Sequence, residues 1–502
     1  MTQSRITGSP AAPAESRDAK VAVWDGVRQS FSVCIAVLVL AGCSFGQFMI
    51  SLSAKSGPPT GTVLVSGSGY SPNAAIDIDF DGANETLINA DGSGAFSNIA
   101  ITVPASAVPG THSISAKQVF TGTGAQTTFL VRANWSEFGF TANGKRVNPY
   151  ENVLSTTTAT ELGEIWRFNT PGYSILSSPA VANGAVYFGS DDHNVYAVSA
   201  KSGAKLWSFT TGSAVSSSPA LATSMLFVGS DDYNVYALNS STGAKIWNYT
   251  TGFVVDSSPA VANGVVYIGS ADNSVYALNA TTGAKLWSFA TGNRVDGSPA
   301  VANGVVYIGS EDYNVYALNA ATGALLWSYA TLGPIDASPA VADGIVYIGS
   351  TVFDNNFYAL NASTGAVLWS YDTSYYSIDA SPAVVNGVVY FADDSYDGSD
   401  VGTVFALNAK TGALLWFYNT GNGVSSSPAV ADGVVYIGST DQNVYALNAA
   451  TGAYLWKYTT GGFVGSSPAV ANGMVFVGSD DTYMYAFGKS SGTSSVEAPG
   501  RH

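Results

Sequence analysis

The chain has 502 residues and a formal charge of −16, from 35 acidic and 19 basic side chains. Hydrophobic residues make up 46 % and charged residues 11 %, the opposite of the balance that keeps chains disordered. An acidic chain without a basic stripe excludes nucleic acid as a partner. Both cysteines, Cys34 and Cys43, fall in one N-terminal apolar stretch, which excludes a disulfide framework or cysteine zinc site elsewhere. His112, His193 and His502 are too scattered for a three-histidine metal centre. Fifty-four glycines punctuating Val- and Tyr-rich runs predict an all-β protein.

Residues 1–43 read as a leader. Arg17, Lys20 and Arg28 precede the apolar run FSVCIAVLVLAG (31–42), the pattern of an export signal. Leu40-Ala41-Gly42-Cys43 resembles the bacterial lipobox, which implies cleavage before Cys43 and lipid attachment to its thiol. The alternative is an uncleaved membrane helix over about residues 31–52. Both readings place the bulk of the chain outside the cytoplasm, held at the cell membrane by the N-terminal anchor only.

Residues 54–133 alternate short apolar strands with Gly, Pro and Asn turns, as in a small β-sandwich. Their order resembles bacterial immunoglobulin-like modules that hold a binding head away from the cell surface. Asp77-x-Asp79-x-Asp81-Gly82 starts like a calcium loop, but the twelfth position is Ile88. Ile76, Ile78 and Phe80 alternate with the aspartates, which predicts a strand with its carboxylates in water.

After a linker and lead-in over 134–163, one unit repeats across 164–488. Its Ser-Pro-Ala prolines are Pro179, Pro219, Pro259, Pro299, Pro339, Pro382, Pro428 and Pro468, spaced by 40 to 46 residues. Trp166, Trp207, Trp247, Trp287, Trp327, Trp369, Trp416 and Trp456 keep step. Each unit holds four strand-length runs separated by turn residues, so the repeat is a four-stranded antiparallel blade. Eight copies predict an eight-bladed β-propeller. The lone strand GEIWRFNT (163–170) precedes the first unit, and the last unit lacks a tryptophan strand. The first strand should therefore complete the last blade and remove an open edge. Residues 489–502 read as a flexible tail.

Ala237-Leu-Asn-Ser-Ser-Thr-Gly-Ala-Lys-Ile-Trp247 resembles the tryptophan-docking motif of quinoprotein alcohol dehydrogenase-like (PQQ-type) propellers, with Asn239 at the Asp position. The segment 135–155 resembles the lead-in common in these proteins. The resemblance implies that each indole packs between neighbouring blades. It does not fix an activity. Dehydrogenases of this fold bind pyrroloquinoline quinone (PQQ) and calcium, many with a disulfide between adjacent cysteines. This propeller has no cysteine and lacks their long inserted loops, which speaks against PQQ. Repeats of this type also build non-enzymatic lipoproteins, including the scaffold of outer-membrane β-barrel assembly.

Length variation falls in the loops before the first and after the second strand of each blade, which share one rim. There Asp256, Asp296, Asp336 and Asp379 each stand three residues before the repeat proline, in four successive blades. They should form an arc at the channel mouth, with Arg294 nearby. The arc could hold a cation, an amine or a sugar, or its members could cap local turns. A second acidic cluster is Asp393, Asp394, Asp397 and Asp400, with the density that suits a hard cation such as calcium. Tyr233, Tyr313 and Tyr483 are candidate rim aromatics, and His193 matches Tyr233 in register. No catalytic constellation emerges. The expected function is a monomeric, membrane-anchored binding or scaffold module whose loop face takes a protein or cell-envelope ligand. A PQQ-dependent dehydrogenase and a cell-wall glycan binder are the alternatives.

Overall fold

A computed structural model describes residues 47–374, 376–394 and 401–489. Seven four-stranded meanders follow one another as blades 1 to 7, over 180–210, 220–250, 260–290, 300–330, 340–372, 383–419 and 429–459. Blade 8 joins three strands of 469–489 to Leu162–Asn169, which pairs antiparallel with Tyr483–Lys489. Lys489, expected in the tail, is the last residue of that strand. Among the described residues the single helical turn is Thr158–Glu161.

The third strand of each blade, such as Ser274–Asn279, is buried on both faces. The outermost strand, such as Lys285–Ala290, buries only its tryptophan fully. Packing between blades explains why the inner strands read as continuous apolar runs rather than alternating ones. Asn-Gly turns such as Asn303-Gly304 take positive φ at both positions, the geometry that a two-residue hairpin requires.

Two periodic contacts lock the ring. Seven of the eight docking indoles donate Nε1–H to a carbonyl of the next blade, as Trp247 does to Ala280 at 3.0 Å and Trp287 to Ala320 at 2.9 Å. The ring lies flat on the glycine of that blade's Thr-Gly turn. A Cβ on Gly283 would come within 2.7 Å of Trp247. Trp456 instead packs edge-on against Phe487 at 5.2 Å. The second contact belongs to the Ser-Pro-Ala serines. The backbone N–H of Ser178 donates to Ser218 Oγ, Ser218 to Ser258, and so on to Ser467, which returns to Ser178 at 2.9 Å. This belt closes only with eight blades.

The lead-in is not a free linker. Residues 135–148 circle the axis and meet the innermost strand of every blade. Val181, Leu221, Val301, Val341, Val384 and Val430 donate their N–H groups to carbonyls of Trp135, Ser136, Ala142, Asn143, Lys145 and Arg146. Val261 donates to the Glu137 carboxylate at 3.2 Å, and Asn148 Nδ2 donates to the Val470 carbonyl at 2.8 Å. Arg146, 1 % exposed, donates to the carbonyls of Phe138, Pro428 and Pro468 and stacks on Phe138. Burial lowers its pKa to about 9, so it stays charged at neutral pH.

Ahead of the strap lies a two-sheet sandwich. Met49–Leu52, Thr62–Ser68 and Phe96–Thr102 form one sheet, and the other has five strands between Ser56 and Val131. Strand pairing thus begins before residue 54. Val65, Ile76, Ile78, Ile114 and Phe129 fill its centre. Asp79 departs from expectation. It is buried, 3.2 Å from Ser115 Oγ and 3.4 Å from Lys117 Nζ, rather than in water.

Candidate functional site: an acidic channel mouth

The mouth opposite the strap is built from the loops before the first and after the second strand of each blade. The position three residues before each proline faces its counterparts in the flanking blades. A Cβ on Gly465 would lie 3.7 Å from Ser425 Oγ and 3.8 Å from Leu176 Cδ2, its counterparts in the flanking blades. The innermost strand of blade 3 starts at Ala260, so Asp256 belongs to the loop before it rather than to the strand.

Arg294 gathers part of the arc. Its guanidinium lies 2.9 Å from Asp296, 3.5 Å from Asp256 and 4.0 Å from Glu311. The carboxyls of Asp256 and Asp231 are within hydrogen-bond reach. Burial and then Asp231 raise Asp256 to about 7 despite Arg294, so this pair holds a proton near neutrality. Burial, Glu311 and Asp296 raise Asp336 to about 6. Burial, Asp336 and Asp394 raise Asp379 to about 7. Asp296 Oδ1 and Arg294 Nε are buried without a hydrogen-bond partner.

The arc is one side of a longer belt that the sequence did not reveal. The residue after the buried loop serine adds Asp191, Asp231, Glu311 and Asp480, and each neighbour repels the next around blades 8, 1 and 2. Their signal was hidden by the next residue, which has a structural task. Asp232 accepts from Tyr236 Oη at 2.7 Å and from Gly212 N at 2.6 Å, tying two loops together. Asp312 and Asp441 repeat this with Tyr316 and Tyr445.

The second acidic cluster divides. Asp393 takes the place of the buried serine, 1 % exposed, and accepts from Thr403 N at 2.6 Å. Asp394 belongs to the mouth belt, near Asp379. Asp397 and Asp400, like Cys43, lie outside the described residues. Among the described residues no group of three His, Cys, Asp or Glu side chains is placed to hold a metal ion. PQQ does not fit either. It is a tricarboxylic acid, and the mouth would present carboxylates to it with Arg294 already paired. The cavity between the strap and the Ser-Pro-Ala loops holds only about 20 Å³, room for one water molecule.

Aromatic and aliphatic side chains stand around the mouth. Tyr233 stacks on Phe253 at 5.3 Å, and Tyr313, Leu332 and Phe353 are exposed, Phe353 by 81 %. Tyr483 is no rim residue, because it starts the strand paired with Asn169 and Arg167 stacks on its ring. Its loop's counterpart of Tyr233 is Thr482, and His193 shares their positive φ.

The family model described as outer membrane protein assembly factor BamB, a PQQ-type repeat, matches residues 152–288, 271–416 and 400–495. The chain belongs to that family. No curated protein matches it by sequence. Among solved structures, BamB from Moraxella catarrhalis is 20 % identical with a TM-score of 0.56, covering 66 % of this chain and 99 % of that one. A europium-containing methanol dehydrogenase is 15 % identical with a TM-score of 0.61, over 71 % of this chain and 98 % of that one. A computationally designed protein, Ika8, is 19 % identical with a TM-score of 0.58, over 65 % and 99 %. An enzyme, an assembly factor and a designed protein thus share this fold, which leaves activity open. No helix among the described residues is long and apolar enough to cross a membrane.

Proposed function

We propose that this BamB-family protein is a non-catalytic binding or scaffold module of the cell envelope. Its lipobox-like leader tethers it outside the cytoplasm, and the sandwich is an immunoglobulin-like stalk. The acidic mouth is the docking face for a protein partner with a basic, partly apolar segment. The observation that carries this reading is the convergence of Asp256, Asp296, Asp336 and Asp379 on a mouth with one paired arginine, ringed by exposed Tyr233, Phe253 and Phe353. Buried like charges cost free energy that a bound cation would recover, and exposed aromatics are the usual anchors of protein interfaces. The family's description as an outer membrane protein assembly factor is in keeping with this choice.

A photo-cross-linker at Phe353 tests the reading in intact cells. One discrete protein adduct, lost when Asp336→Asn and Asp379→Asn are combined, supports it. No adduct, or one indifferent to the double substitution, contradicts it.

A further inference from the structure

The sandwich has two unlike ends. At one end the loop before Gly110 meets the lead-in just past the strap, where Asn152 donates to the carbonyls of Ala105 and Ala107. There too Arg132 donates to Asn183 of blade 1, at 3.0 Å. At the other end the chain enters at Gln47. Strand register fixes which residues share that end: Met49 pairs with Ser68, Ala75 with Asn89, Ile76 with Gln118, and Lys117 with Gly124. Ser71, three residues after Ser68, donates its N–H to Gln118 Oε1 at 3.2 Å, which puts the hairpin tip at Val119 and Phe120 at the same end as the point of entry, and Val119 N donates to the Ala75 carbonyl at 2.9 Å.

This far end is unusually apolar for a turn. Phe120 is 94 % exposed and Val119 50 %, with Met49 at 60 % and Leu87, two residues from Asn89, at 63 %. Hairpin tips are ordinarily polar, and a nearly bare phenylalanine gains nothing from water. Polar groups surround the tip without covering it. Asp91 binds its own turn through Ser93, and Lys117 is half-exposed.

We propose that this end rests on a lipid bilayer, with Phe120 and Val119 seated at the headgroup–acyl boundary. The proposal depends on the anchored reading above and adds a second contact to it. The apolar run 31–42 precedes Gln47 by only a few residues, and Cys43 and Gln47 are four residues apart. Four residues span at most about 14 Å, so an anchor at Cys43 keeps Gln47, at this end of the sandwich, within that reach of the membrane. Aromatic and aliphatic side chains at the boundary, with polar neighbours among the headgroups, match what the interface favours. The contact would also hold the stalk upright, which a single flexible tether cannot do.

The test uses the full chain in phosphatidylcholine vesicles, with benzoylphenylalanine at position 120 or, as a control, at 353. Co-sedimentation with a lipid adduct at 120 and none at 353 is expected. Phe120→Asp combined with Val119→Ser should still co-sediment, since both sites are exposed, but should lose the hydrogen-exchange protection that vesicles confer on the hairpin tip. Co-sedimentation without a lipid adduct at 120, or with an adduct to a second copy or another protein, overturns the tip contact and leaves the anchor standing. Failure to co-sediment overturns the anchor and the tip contact with it.

Discussion

Replacing Glu137 by Gln probes a contact that the strap makes with a blade through a side-chain carboxylate. Glu137 is 9 % exposed, and burial raises it to about 7 against only one backbone donor, Val261 N. Because folding raises this pKa from 4.5, the folded state keeps a proton that the unfolded chain has already released between about pH 4.5 and 7. The contribution of Glu137 to stability is therefore full below the unfolded value and is lost as pH rises through 7. The loss reaches on the order of 3 kcal/mol by pH 8, at about 1.4 kcal/mol for each tenfold change in proton affinity. Glutamine keeps an acceptor for Val261 and removes the charge. Glu137→Gln should match the parent at pH 4.5 and melt several degrees higher at pH 8. Glu137→Ala, which removes the acceptor as well, should cost about 1–3 kcal/mol at pH 4.5. Thermal melts across pH 4.5–8.5 measure both. A Glu137→Gln effect that is equal at both ends of the range, or destabilising at pH 8, would refute the buried-carboxylate argument.

Trp287→Ala removes an indole that spans two blades and should cost about 3–5 kcal/mol in denaturant unfolding; a midpoint unchanged from the parent would show that the docking contact is not energetic. Ser258→Ala strips the acceptor from Ser218 N inside the closed serine belt and should cost about 1–3 kcal/mol, with exchange rising first at Ser218. His112 sits 2.6 Å from Asp81 and 2.7 Å from the Val108 carbonyl, and these partners raise its pKa despite burial. Its contribution is full below the unfolded value near 6.5 and fades as pH rises through the folded one, so His112→Gln should destabilise at pH 5.5 and much less at pH 8.5.

Blade number and ring closure were legible because Trp and Pro recur in fixed register, and each repeat position reports one local geometry. The strap was not legible. Residues 135–148 have no period, and their partners, from Val181 to Val470, are set by the ring rather than by neighbours in sequence. The acidic arc was legible at Asp256, Asp296, Asp336 and Asp379 because it breaks the symmetry at one register. Asp231 and Glu311 were missed because each is followed by a structural aspartate, so the two tasks merge into one acidic loop. The aspartate strand misled in a different way. Alternation placed Ile76 and Ile78 correctly, yet the opposite face is covered by Ser115 and Lys117 from the adjacent strand, which a single strand's pattern cannot show.

The docking role of the mouth is most directly measured by calorimetric titration of the full chain with an amidated arginine tetrapeptide. Saturable binding is expected, weakening as salt rises and lost when Asp336→Asn and Asp379→Asn are combined. Asp343→Asn, on the strap side in the hairpin turn of blade 5, should leave it unchanged. No binding by the parent, or equal binding by the double variant, would contradict the claim that the acidic mouth is the docking face.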